Sequence, residues 1–336
     1  MSPQVLVLGA NGRCGRAIAL AFAAAGWRVH AQLRRPWTGP APPNLEPLLL
    51  PIDAHDPIAA AARGSRIVVH ALNPVYTRWE REVLPLGDTA IGLARSLGAS
   101  LMLPGNVYNY GDPIPAVLTE STPFAPNHPK ARLRIALEGR LEAATDVRSI
   151  VLRAGDFFGA GRGTWLDALM LKPLRRGRIL YPGPVELVHA WAYLPDLAQC
   201  CVRLAERADT LPAHTALHFP GHAVTGERFV AALSAAALDL GLISAPARIG
   251  GVPWRLFRAA GIAMPLLREL TRMSYLWRQP HALQSERLAT VLGEHAGTPL
   301  PQALHATLAG LYPAGSVQRQ HAIHGDSALT SRSRCS

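Results

Sequence analysis

The sequence predicts an α/β chain built on a doubly wound parallel sheet, with a smaller C-terminal lobe over one edge. Three observations carry this. Apolar strand-like runs alternate with helical stretches over the first 150 residues, glycines punctuate the first strand-to-helix turn, and Pro/Gly-rich segments dominate the second half. Alternation of this kind requires right-handed crossovers and places a ligand site at the carboxyl ends of the strands.

The first unit is VLVLGANGRCGRAIALAFAAAGWRVHAQLRR, residues 5–35. Val5 to Leu8 is a short continuous apolar run suited to a central strand covered on both faces. Gly9 takes the tight turn out of the strand, Gly12 lets backbone approach a diphosphate, and Gly15 lets the following helix lie close to the strand. The free N–H groups and positive dipole end of that helix attract an anion. The second strand ends on Gln32, Leu33, Arg34 and Arg35 without the acid that would bind both ribose hydroxyls of NAD. Arg34, with Arg13 in the glycine turn read as facing the same ribose, matches a 2′-phosphate instead. NADP is the expected cofactor, with NAD the alternative.

Further along, Leu48 to Ile52 reads as the third strand, ending at Asp53, and Ile67 to Ala71 as the fourth, followed by the break Asn73-Pro74. Arg78 to Leu97 is a long helix. Ser100 to Leu103 is the fifth strand and opens into the loop PGNVYNYGD. Pro129 to Ala144 is a helix and Ser149 to Arg153 the sixth strand. The cofactor-binding unit with its lobe spans 1–312, the lobe drawn mainly from 155–190 and 215–312. The last stretch, 313–336, loses periodicity and apolar content and reads as a disordered tail.

Composition sets outer bounds. The 336 residues are 49% apolar and carry a formal charge of +11. The arginines are scattered over several helices rather than gathered in a stripe with aromatics, so nucleic acid is not an expected partner. The apolar stretch Phe229 to Ile243 is interrupted by Asp239 and falls short of the roughly 20 residues a spanning helix needs, so no membrane partner is expected. Cys14, Cys200, Cys201 and Cys335 have no metal-ligand spacing, and no histidine pair supplies one. Unpaired cysteines and no recognisable leader fit a cytoplasmic protein.

The ordered set GANGRCG, Asp53, HALNP (70–74), NVYNYG (106–111), VLRAGDFFGAG (151–161) and HAWAYLPDLAQC (189–200) resembles the extended short-chain dehydrogenases/reductases, the NAD-dependent epimerase/dehydratase family, over roughly residues 4–312. The resemblance implies a Rossmann fold and a small carbonyl, alcohol or nucleotide-sugar substrate. It places the cofactor against Gly9, Asn11, Gly12, Arg13, Cys14 and Gly15, the adenine on Asp53, and the backbone near Ala71 beside it. A homodimer is a further expectation, since relatives often pair.

The catalytic positions depart from that pattern. Pro104 stands where the family has Ser or Thr, and Lys130 and Arg134 stand where it has the Tyr-x-x-x-Lys pair. Arg134 can hold ribose hydroxyls but cannot shuttle a proton near neutrality. Lys130, one turn earlier on the same face, moves protons only where burial and neighbouring cations disfavour its charge. Tyr108 in the fifth-strand loop is the third catalytic candidate, with Asn106 and Asp156 as substrate contacts. A bland alternative makes Lys130, Arg134 and Glu138 a solvated, ion-paired helix stripe. Two function classes remain open: an NADP-preferring oxidoreductase or epimerase with a remodelled acid/base group, and a dinucleotide-binding redox sensor that no longer turns over.

Overall fold

The computed structural model describes residues 2–293 and 297–313. Apart from Pro313, the segment read as a tail lies outside them, as does Cys335.

The first half alternates β1 (Gln4–Leu8), α1 (Arg13–Ala24), β2 (Arg28–Leu33), β3 (Leu45–Leu49), α2 (His55–Ala61), β4 (Ile67–His70), α3 (Trp79–Leu97) and β5 (Ser100–Gly105). There follow β6 (Val117–Leu118), α4 (Pro129–Ala143), β7 (Ser149–Arg153) and β8 (Asp156–Phe158). The second half holds β9 (Arg178–Tyr181), β10 (Val188–Tyr193), α5 (Leu194–Ala205), β11 (His214–His218), β12 (His222–Thr225) and α6 (Gly226–Asp239). It ends with β13 (Arg248–Gly251), α7 (Trp254–Ala260), α8 (Pro265–Arg272), β14 (Ala282–Leu283), α9 (Glu286–Leu292) and α10 (Leu300–Leu311).

Seven strands form one parallel sheet in the order β11-β7-β5-β4-β1-β2-β3. Side chains of β1 alternate between two cores. Val5 and Val7 join the apolar cluster under α1 and α5, while Leu6 and Leu8 join the one under α3 and α4. Both faces being buried explains why the strand reads as an unbroken apolar run. A third cluster, around Trp191, Phe229, Trp277 and Leu304, is the core of the C-terminal lobe.

Two strands differ from the sequence reading. The third strand is Leu45–Leu49, three residues earlier than the apolar run 48–52, because Leu45 is buried and pairs with Val29 whereas Leu49 faces solvent. Pro47, which has no N–H for a ladder, is tolerated there because β3 is the sheet's edge. The sheet also has a seventh strand, β11, pairing with β7 from His214↔Ser149 to His218↔Arg153. Residues 214–218 therefore belong to the main sheet, and the second part of the lobe begins after them. The long helix starts at Trp79, and Tyr76–Arg78 forms a single 3-10 turn before it.

Candidate active site

The glycine turn is built as its residue types require. Gly9 leaves β1 at φ +78°, a conformation that favours glycine. Its N–H donates to Gln32 Oε1 at 3.0 Å, and Gly12 N–H donates to the Gly9 carbonyl at 2.9 Å. A Cβ on Gly15 would lie 2.5 Å from the Gly9 carbonyl oxygen, so only glycine lets α1 approach β1 this closely. Helix α1 begins with no side-chain cap and no acid in its first turn. Its leading N–H groups are thus left for an anion, and the turn fits the diphosphate of a dinucleotide.

Around the turn, the structure brings several of the expected residues together. Asn11 ties it to the end of β2, its Oδ1 accepting from the N–H groups of Arg34 (2.9 Å) and Arg35 (3.2 Å) and its Nδ2 donating to the Arg35 carbonyl. The Arg34 and Arg35 side chains are exposed at the strand end. Ala71 donates its N–H to the Leu8 carbonyl, and its own carbonyl would lie 3.1 Å from a Cβ on Gly9. Asp53 is exposed four residues beyond the end of β3 and does not cap α2, whose N-cap is Ala54. Buried Gln32, whose Nε2 also donates to the Leu50 carbonyl, braces the turn against β2 and the exit of β3.

Arg13 corrects the sequence reading. Its Nη1 donates to the Arg162 carbonyl at 2.9 Å, against Gly163, and Tyr76 and Asp167 are among its charge neighbours. Tyr76 follows β4, and the sheet order places β1 between β4 and β2. The guanidinium therefore reaches away from Arg34 and not toward a shared ribose. The glycine-rich loop 159–163 receives it.

The second cluster lies beyond the ends of β4 and β5. Asn106 Oδ1 accepts the Tyr108 N–H at 3.0 Å and shapes the turn in which Tyr108 sits, a structural task beside any substrate contact. The Tyr108 and Tyr76 hydroxyls are 2.6 Å apart. On α4, Lys130, Arg134 and Glu138 are all buried, at 4%, 9% and 4% exposure. That excludes the solvated stripe. Each has its own surroundings: Lys130 Nζ donates to Glu269 of α8 and lies 4.9 Å from the centre of the Tyr76 ring. Glu138 Oε2 accepts both Nη2 (2.7 Å) and Nε (3.1 Å) of Arg153. The Arg134 guanidinium lies 4.8 Å over the Trp79 ring, forms no ion pair among the described residues, and leaves its Nε without a hydrogen-bond partner.

Burial sets the electrostatics here. It pushes the Tyr76 phenol up to about 12 and Tyr108 well above the ordinary tyrosine value. Arg134 and Arg13 pull Tyr76 back in part. Burial also raises the Cys14 thiol to about 12, so Cys14 is a packed neutral group at the start of α1 and not a nucleophile. Asp156 Oδ2 pairs with His189 Nε2 at 2.9 Å, and His189 stacks flat on Trp277 at 3.9 Å. The carboxylate's charge reaches Tyr76, Tyr108, Tyr181 and Tyr275.

Tyr76, Trp79 and Glu269 were not anticipated as site residues. Tyr76 had a signal, two residues after the Asn-Pro break that ends the fourth strand unit, whereas Glu269 had none. A separate cavity of about 170 Å³ lies between α5 and α9, lined by Tyr193, Asp196, Phe219, His222 and Leu288, and holds none of the expected site residues. Among the described residues no group of three or more His, Cys, Asp or Glu could hold a metal ion.

Residues 5–217 match the NAD dependent epimerase/dehydratase family. No curated protein sequence matches the chain. Among solved structures, a putative epimerase from Burkholderia cenocepacia J2315 is 20% identical, with a TM-score of 0.71 over 92% of this chain and 98% of its own. WbmH of Bordetella bronchiseptica, in complex with NAD+, is 19% identical, with a TM-score of 0.70 over 94% of this chain and 100% of its own. The human epimerase family protein SDR39U1, solved with NADPH, is 22% identical, with a TM-score of 0.65 over 90% and 98%. At such identities the likeness concerns the fold, and the family rests on the match over most of the sequence. With the parallel sheet, the glycine turn and the uncapped α1 all in the expected places, the chain belongs to the NAD dependent epimerase/dehydratase family.

Proposed function

We propose that the protein is an NADP-preferring oxidoreductase or epimerase that acts on a small carbonyl, alcohol or nucleotide-sugar substrate. In this reading the proton transfer of the family's missing tyrosine falls to the Tyr76–Tyr108 pair, and the ribose-holding role of its missing lysine to Arg134. The observation that carries it is the buried Arg134 guanidinium, which has no carboxylate of its own and lies beside two hydrogen-bonded phenols. A buried cation without a partner is costly, and a bound ligand that supplies acceptors relieves the cost.

The cofactor, when bound, supplies or accepts the hydride. Gly9, Gly12, Gly15 and the first N–H groups of α1, those of Arg13 and Cys14 included, hold its diphosphate, Arg34 its 2′-phosphate, Asp53 its adenine, and the backbone near Ala71 runs alongside. Arg134 donates to ribose hydroxyls in the place of a lysine. One phenol of the Tyr76–Tyr108 pair gives its proton to the substrate oxygen while the other donates to it, sharing the charge that develops. Lys130, whose hydrogen bond is committed to Glu269, acts as a fixed cation beside Tyr76 rather than as the proton carrier. Asn106 and Asp156 contact the substrate.

The test is a fluorescence titration with NADPH and NADH, repeated for Arg34→Ala, followed by absorbance assays over a panel of carbonyl and nucleotide-sugar substrates. NADPH is expected to bind more tightly than NADH, and Arg34→Ala to weaken it about tenfold. No binding of either dinucleotide sinks the reading. If turnover is found and both Lys130→Ala and Tyr108→Phe leave it within a few-fold of wild type, the catalytic assignment is wrong. One observation favours the second class: both phenols are held well above the ordinary range. Tight NADPH binding with no turnover over the whole panel assigns the protein to the sensor class.

A further inference from the structure

The helical hairpin α7–α8 gathers exposed apolar side chains that elsewhere occur singly, as Leu49 and Val75 do. Leu256 is 68% exposed, Ile262 86%, Met264 54% and Leu266 51%, and Ile249 just before the hairpin is 48% exposed. Scattered exposed apolar residues are ordinary, but here four fall within eleven residues at one hairpin turn. The turn is tight, since a Cβ on Gly261 would meet the backbone of Arg268 at 3.1 Å. Between residues 248 and 278 the chain carries six arginines, at 248, 255, 258, 268, 272 and 278, all exposed. The sole acid in that stretch, Glu269, is buried and occupied by Lys130 and Arg272.

We propose that this hairpin docks the protein on an anionic lipid surface. An apolar tip that can enter the acyl boundary, flanked by arginines without exposed acids, is the chemistry such a surface selects. The same charge pattern argues against a second copy of this chain. A two-fold contact would set the patch carrying Arg255, Arg258 and Arg268 against an identical patch, with no exposed carboxylate in the stretch to offset the like charges. The contact is peripheral: among the described residues no helix is long and apolar enough to cross a membrane. It departs from the expectation of no membrane partner, which considered spanning segments alone. Helix α8 also packs on the Tyr76–Arg78 turn and supplies Glu269 to Lys130, so docking would bring lipid to the side of the molecule that holds the phenol pair.

Flotation of the full-length protein with phosphatidylcholine vesicles, with and without about one third phosphatidylglycerol, reads this without cofactor or turnover. At low salt the anionic vesicles should capture at least about tenfold more protein than the neutral ones, and salt should reverse it. The pairs Ile262→Asp with Met264→Asp, and Arg255→Glu with Arg258→Glu, should each cut capture by about tenfold. Both pairs change exposed positions, and unaltered thermal melting shows that they fold. Equal background partition of wild type into both vesicle types overturns the proposal. So does a concentration-dependent dimer in sedimentation that Ile262→Asp dissociates, which would give the patch to a second copy.

Discussion

The glycine turn and the buried face of α4 come close enough for Arg13 and Arg134 both to act on Tyr76, and they are built by different means. At the turn the proposed binding is by backbone: Gly9, Gly12 and Gly15 contribute the absence of a side chain, and their contacts are within a few residues or with the adjacent strands. On α4 the proposed roles belong to side chains, and what each can do is fixed by a partner on another element, Lys130 by Glu269 139 residues on and Glu138 by Arg153 on β7. A backbone device carries its function in its own local pattern. A side-chain device does not, because the same lysine is a proton carrier or a fixed cation depending on which carboxylate reaches it.

Breaking the turn should have the largest effect. Gly15→Ala puts a Cβ 2.5 Å from the Gly9 carbonyl oxygen, against backbone that cannot give way, so α1 must shift off β1. The expected result is a loss of NADPH affinity beyond about 100-fold and a destabilisation of about 1–3 kcal/mol. Gly12→Ala separates the two roles, since its Cβ would sit 3.3 Å from the same oxygen and no other contact within 4 Å opposes it. Stability should hold within about 0.5 kcal/mol while NADPH affinity falls about tenfold or more. Unchanged affinity in Gly12→Ala would show that no phosphate approaches there.

The α4 face sharpens the comparison by a double dissociation. Lys130→Met strands Glu269 with a single partner, the half-exposed Arg272, and should cost about 2–4 kcal/mol of stability with little change in NADPH affinity. Arg134→Met removes no ion pair and substitutes a group that packs on Trp79, so stability should change by less than about 1 kcal/mol. NADPH affinity should nevertheless drop about tenfold. Chemical denaturation paired with the dinucleotide titration checks both, and the reverse pattern would exchange the roles given to the two residues.

The contrast also explains what the sequence disclosed. Strand β1, the glycine spacing, α1 and the arginines ending β2 were legible because each depends on neighbours a few residues off. The third strand was displaced by three residues because both registers contain one proline, Pro47 or Pro51, and the run 48–52 is the more apolar, whereas the pairing of Leu45 with Val29 is a tertiary fact. Strand β11 was hidden because HTALH is short and bracketed by histidines, and its pairing with β7 is a tertiary fact. The direction of Arg13 is set by a glycine-rich loop 149 residues away, and the partner of Lys130 lies 139 residues away. Spacing alone carries no record of either.

The smallest effect concerns protons. His70 ends β4 with its Nδ1 unpartnered, and burial holds its imidazole down to about 3, below the ordinary 6.5. The unfolded chain therefore takes up this proton first, so the folded state is at full stability above about pH 6.5 and loses it as pH falls from there toward 3. The slope is about 1.4 kcal/mol per pH unit from this residue. Buried His281, also held to about 3, adds in the same direction. Urea unfolding of wild type at pH 6.5 and 5.5 should show the loss, and His70→Leu, which fills the site without a titrating group, should recover about 1 kcal/mol of the difference. A pH dependence identical in the two proteins would mean that His70 takes its proton as readily in the folded chain as outside it. In that case neither burial nor the Arg134 guanidinium would be disfavouring the imidazolium in the folded chain.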